Sequence, residues 1–211
     1  MRAAQDDPRQ DHRPPRQRLI DAAADLFYRH GIRAVGVEAI AEAAGTNKMT
    51  LYRHFPSKDD LVAEYLREWA RGVDERWERV EQEHGGNPRA QLRAWLENVA
   101  TRCEDVRGCA LANAAVELPD KDHPARRVVE ECKLALVSRL AALCAAAGLH
   151  EPEVLADKLA LLLEGARIRT QSIGPQGVSE RFLQMCEAII AAHEPDPRPR
   201  ARRPRRIAAQ T

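Results

Sequence analysis

The run Gly45-Thr-Asn-Lys-Met-Thr-Leu-Tyr-Arg-His-Phe-Pro-Ser-Lys58 gathers Lys48, Thr50, Tyr52 and His54 on one short segment. An ammonium, a hydroxyl, a phenol and an imidazole at this spacing suit recognition more than catalysis: all can donate to phosphate oxygens or base edges. Asn47 is placed to cap a helix beginning at Lys48. Lys48, Met49 and Thr50 then fill its first turn, where free backbone N–H groups and the positive end of the dipole favour anions. Lys48 and Thr50 are the candidates for base edges and Met49 for a thymine methyl. Tyr52, His54 and Lys58 are the candidates for phosphates.

Several helices must hold that segment. Leu19, Ala23 and Phe27 share a face with Leu26 and Ile20 beside them, which predicts a first helix over about 16–30, stopped by Gly31. A second is expected over 37–44, opened by Gly36, and a third over 48–54. Two short helices joined at Gly45 can cross steeply, as in a helix-turn-helix. Ser57 and Asp60 read as a capping box for a fourth helix. Its apolar stripe, from Leu61 through Tyr65, Trp69, Val73 and Trp77 to Val80, predicts several turns. Four further helices are expected to start near Pro88, Cys109, Pro124 and Pro152, and a last one spans Ser179 to about His193. No alternating β-branched runs occur, so the fold class is all-α. The expected organisation is an arm (1–14), a helix-turn-helix unit (15–60), a larger helical unit (61–193) and an Arg/Pro-rich tail (194–211), with arm and tail disordered.

The segment from Leu19 to Leu61 resembles the TetR/AcrR family of bacterial transcriptional repressors. The resemblance rests on Leu19-Ile20, Ala22-Ala23, Leu26-Phe27, Gly31, Ile40-Ala41, Ala44-Gly45, Lys48, Thr50-Leu51-Tyr52, His54-Phe55, Ser57-Lys58 and Leu61. It implies a homodimer binding a pseudo-palindromic double-stranded operator, with the C-terminal unit serving dimerisation and ligand binding, and release of DNA when a small molecule binds. It also implies base contacts from the third helix and backbone contacts from Tyr52 and Lys58. Two positions depart from the family pattern. Val35-Gly36 stands where a Thr or Ser pair is usual, and Met49 where Gly is frequent. Arg16 and Arg18, opening the first helix, and Arg2, Arg9 and Arg13 on the arm are within chain reach of an adjacent phosphate.

Trp69, Trp77, Trp95, Cys103, Cys109, Asn113, Glu117 and Arg167 fall on helices able to enclose a small-molecule pocket of aromatic and apolar walls with a few polar groups. The same set also suits a helical core with a charged rim. Leu155, Leu159, Leu162 and Ala166, then Phe182, Leu183, Cys186 and Ile190, form broad apolar faces on the last two long helices, as a four-helix dimer bundle requires. Cys109, at a helix start beside Gly108 and Arg107, also fits a reactive thiol, so a redox or electrophile sensor is the alternative.

The 211 residues carry a net charge of +1. The tail from Glu194 onward holds +4, leaving −3 for the rest, so DNA contact must come from a local patch. Five cysteines form no CxxC pair, which points to a reducing compartment. With no signal-peptide pattern and no apolar run long enough to span a bilayer, a soluble, cytoplasmic protein is expected. No metal cluster or cofactor motif is seen. Gly85-Gly86 lacks the rest of a P-loop, and no Ser/His/Asp set is visible, so an enzyme or simple ligand carrier is the weaker rival.

Overall fold

The computed structural model describes residues 13–195 and, within them, nine α-helices and no strand. The readings made for the rest of the arm and tail lie outside the described residues. The helices are α1 (Pro15–His30), α2 (Val37–Ala43), α3 (Lys48–His54), α4 (Lys58–Glu83), α5 (Pro88–Arg102), α6 (Ala110–Glu117), α7 (Pro124–Ala146), α8 (Pro152–Ile173) and α9 (Val178–Ala192). Local chemistry sets their ends. Pro opens α1, α5, α7 and α8, where its missing N–H costs nothing. Asn47, Ser57 and Asn87 each accept a backbone N–H from the first turn that follows. Gly31, with φ +88°, takes the chain out of α1 where a side chain would be strained.

Buried side chains form two clusters. The first joins Leu19, Ile20 and Phe27 of α1, Ile40 of α2, Leu51 of α3 and Phe55 to Leu61, Val62, Tyr65 and Leu66 of α4. It continues into Leu111 and Ala114 of α6 and Val128 of α7. The second joins Val80 and the buried faces of α5, the C-terminal half of α7, α8 and α9. The packing boundary therefore does not fall between residues 60 and 61. The first core takes in two turns of α4 and all of α6, because the apolar face of α2 and α3 is too small to bury itself. Between the clusters, Trp69, Val73 and Trp77 are only half-buried, since there the α4 stripe faces cavities instead of a packed helix. No described helix is long and apolar enough to cross a membrane.

The apolar faces of α8 and α9 also differ from expectation. Leu155, Leu159, Ala166, Phe182 and Cys186 are buried within the chain itself. The uncovered large apolar side chains are Val154, Leu161 and Ile168 on α8, spaced by seven, Ile173 at its last position, and Met185 on α9. Leu161 is 72% exposed, and a Cβ added at Gly165 between Leu161 and Ile168 would meet no atom within 4 Å.

Candidate nucleic-acid interface and adjoining cavity

α3 is pinned from behind. Leu51 is fully buried and Phe55 nearly so, while Asn47 Oδ1 accepts the Thr50 N–H at 2.9 Å. The opposite face carries Lys48, Met49, Tyr52 and Arg53, all exposed. Met49, at 83% exposure, is an unprotected thioether on an otherwise polar surface. Lys48 Nζ sits 2.5 Å from Glu38 Oε1 on α2 and 5.9 Å from the Tyr52 ring centre. That hydrogen bond holds the Glu38 carboxyl below its ordinary pKa and the Lys48 ammonium above its own. Thr50 is half-buried. Gly36 caps α2 with extended backbone and no side-chain bond.

Five residues proposed for phosphates point elsewhere. Lys58 Nζ donates to the Ile32 carbonyl at 2.6 Å and lies over the Phe27 ring, and burial lowers its pKa. It ties the α1–α2 loop to the start of α4, because its stem lies along buried aromatic surface. His54 is half-buried, and its Nε2 is enclosed without a hydrogen-bond partner among the described residues. Arg18 likewise has an enclosed Nε, and its Nη1 lies against the Gly45 turn. Arg16 stacks on Phe55 and pairs with Glu64 at 3.3 Å, and Arg13 pairs with Asp21.

A cavity opens beside the middle of α4. Trp69, Val73, Trp95, Val99, Leu136 and Leu163 supply apolar walls, and Cys109, Cys132 and Lys133 also line it. The inner cavity is small, about 60 Å³, and the space of small-ligand size lies in the cleft outside it, about 610 Å³. An outer cleft continues from it to Ala24, Asp25 and Tyr28 of α1. Trp69, Trp95, Cys109 and Arg167 from the proposed ligand set thus meet at one site. Trp77 stacks on Trp95, ring centres 5.1 Å apart. Cys103, Asn113 and Glu117 do not line the cavity. Cys103 is wholly buried, and its carbonyl accepts the Thr170 hydroxyl. Asn113 bonds the Arg107 carbonyl at 2.7 Å and Gln171 at 3.0 Å. Glu117 Oε2 accepts the Arg33 N–H at 3.0 Å, fastening α6 to the α1–α2 loop.

The fold and the segment that carries α3 have counterparts among known proteins. A family model described as bacterial regulatory proteins, tetR family, matches residues 19–65. Across 52 residues the chain is 50% identical to the HTH-type transcriptional repressor KstR2 of Rhodococcus jostii. That match spans 25% of this chain and 26% of KstR2, so the chain covers about a quarter of this curated relative's length. A solved TetR-family transcriptional regulator from Streptomyces coelicolor extends the likeness over nearly the whole molecule. It superposes with a TM-score of 0.79 at 30% identity, covering 85% of this chain and 95% of that one. The protein belongs to the TetR family of transcriptional regulators. The reduced form of E. coli NemR, at 20% identity and a TM-score of 0.74 over 84% of this chain, shares the fold.

In this TetR-family chain the α5–α6 loop is strapped to α1. Arg107 Nε donates to the Tyr28 carbonyl at 2.6 Å, and the Tyr28 hydroxyl reaches the Gly108 carbonyl at 3.3 Å. Burial, then the Asp105 carboxylate, raises the Tyr28 pKa, so its hydroxyl stays a donor. Gly108 has φ +71°, and a Cβ there would lie 2.5 Å from Gln171 Nε2. Arg76, Arg102 and Lys133 line the cavity but were not anticipated from the sequence. The signal was available for one: Arg76 follows Trp69 by seven and Val73 by three, in phase with the α4 stripe.

Proposed function

We propose that the protein is a DNA-binding repressor acting as a homodimer and released from its operator by a small molecule. The observation that carries the reading is the face of α3, where Lys48, Met49 and Tyr52 stand clear of a helix anchored by Leu51, Phe55 and the Asn47 cap. Lys48, Met49 and Thr50 meet base edges, and Tyr52 and Arg53 meet phosphates. Asn47 sets the angle of entry, and Arg18 with Gly36 shapes the neighbouring turn. A second copy of the chain covers Leu161, Ile168 and Met185. Two copies present paired recognition helices to half-sites roughly 34 Å apart. The ligand enters the cavity beside Trp69, Trp95, Cys109 and Arg167. It acts on α1 through Tyr28 and Arg107 and on the α1–α2 loop through Glu117, with a coupling on the order of 1–3 kcal/mol.

The test is selection of bound genomic fragments followed by footprinting. A protected two-fold site that disappears on Met49→Asp supports the reading. Absence of any enriched fragment rejects it.

One observation favours a thiol-sensing variant: Cys109 Sγ lines the cavity 3.9 Å from Lys133 Nζ. A thiol in a cavity wall is within reach of an electrophile that enters the cavity. N-ethylmaleimide that weakens operator binding of the native protein but not of Cys109→Ser supports that variant. Equal loss, or none, rejects it.

A further inference from the structure

The cavity is electrostatically one-sided. Among the described residues its walls carry four cationic side chains, Arg76, Arg102, Arg167 and Lys133, and no carboxylate. One neighbouring acid serves two of them: Glu164 lies 2.5 Å from Lys133 Nζ and 3.7 Å from Arg167. The Arg76 and Arg102 guanidinium groups form no ion pair or hydrogen bond among the described residues. Burial, then the charges of Arg102 and Arg167, pushes the Arg76 guanidinium down to about 10. The two acids of the outer cleft are engaged elsewhere, Asp25 with Arg29 at 2.7 Å and Asp105 with the Arg107 N–H at 2.9 Å. Holding cations together out of water is costly unless an anion joins them.

Their placement is specific. Arg76, Arg102 and Arg167 border both the inner cavity and the outer cleft, so they ring the neck between the two. Beyond the neck the inner wall is aromatic and aliphatic: Trp69, Val73, Trp95, Val99, Leu136 and Leu163. We infer that the site takes an amphipathic organic anion, its apolar body turned to the aromatic and aliphatic wall and its carboxylate or phosphate head held by the three arginines. Guanidinium forks match both head groups bidentately. The head then lies in the cleft that Tyr28 of α1 also lines, where its charge acts on the strap between the two cores.

This inference rests on the ligand-binding part of the proposed function and is tested apart from DNA. All three tryptophans of the chain lie at or against the cavity, Trp69 and Trp95 in its wall and Trp77 stacked on Trp95, so intrinsic fluorescence reports occupancy. The full-length protein is titrated at neutral pH with decanoate, decyl phosphate, decanol and decylamine. Saturable binding of decanoate or decyl phosphate, at least tenfold tighter than decanol and absent for decylamine, is the expected result. The stronger of the two names the head group. Arg76→Gln and Arg102→Gln are each expected to erase most of that anion preference while leaving decanol binding in place, which also shows that the variants fold. Equal affinity for decanol, tighter binding of decylamine, or no binding by any of the four overturns the inference. Anion binding in a protein that never protects DNA defeats the repressor reading and leaves this one standing. Operator binding in a protein indifferent to all four probes does the reverse.

Discussion

Removing the Glu117 carboxylate isolates the contact that fastens α6 to the recognition unit. Its Oε2 accepts the Arg33 N–H at 3.0 Å, and the carboxylate also packs under Gly31. A hydrogen bond to a charged acceptor contributes about 1.5–3 kcal/mol. Arg33 is exposed, so water replaces the lost acceptor and the net cost of Glu117→Ala falls to about 1 kcal/mol. The loss is local, and amide hydrogen exchange reads it: Arg33 exchange should rise roughly fivefold while core amides at Leu19 and Leu51 stay unchanged. Glu117→Gln keeps an acceptor oxygen and should recover most of the protection. An unchanged Arg33 amide in Glu117→Ala would refute the reasoning, as would a uniform rise across the first core.

Gly108→Ala places a side chain at φ +71° and against Gln171, so it should destabilise the protein by about 1–2 kcal/mol in urea melts and release the Gln171 contacts with Arg107 and Asn113. The buried Cys186 thiol is pushed up to about 12, against about 8.5 when unfolded. Its contribution is therefore complete below the unfolded value and is lost as pH rises toward the folded one. Stability should decline across that alkaline window, and Cys186→Ala should make the decline shallower; an unchanged slope would contradict the assignment. Leu161→Asp should give a folded monomer in sedimentation while the native chain sediments as a dimer, and a native monomer at micromolar concentration would reject the pairing face.

Element ends were readable because each is set by one or two residues. Asn47 and Ser57 bond the turn that follows, Gly31 turns the chain out of α1, and the prolines at 88, 124 and 152 start helices. Phe27, Leu51 and Leu61 were readable as core because their phase on a helix decides burial. Lys58 was not readable, since whether a long cation reaches solvent or a carbonyl depends on a loop 26 residues earlier. Glu117 failed for the same reason across 84 residues. The α8 stripe was misassigned because both of its apolar flanks have helical period, and only the positions of α7 and α9 decide which is left uncovered. Arg76 was not singled out, although it follows Trp69 by seven.

Burial of Tyr65 and Leu66 in the same cluster as Leu19 and Leu51 makes the amino-terminal turns of α4 part of one solid block with the recognition unit. That block cannot bend internally without opening its own interior. Compliance is left to the stretch around Val73, beside the void; under the proposed ligand release, a molecule at that void swings the reading head as a rigid paddle and leaves its internal order intact.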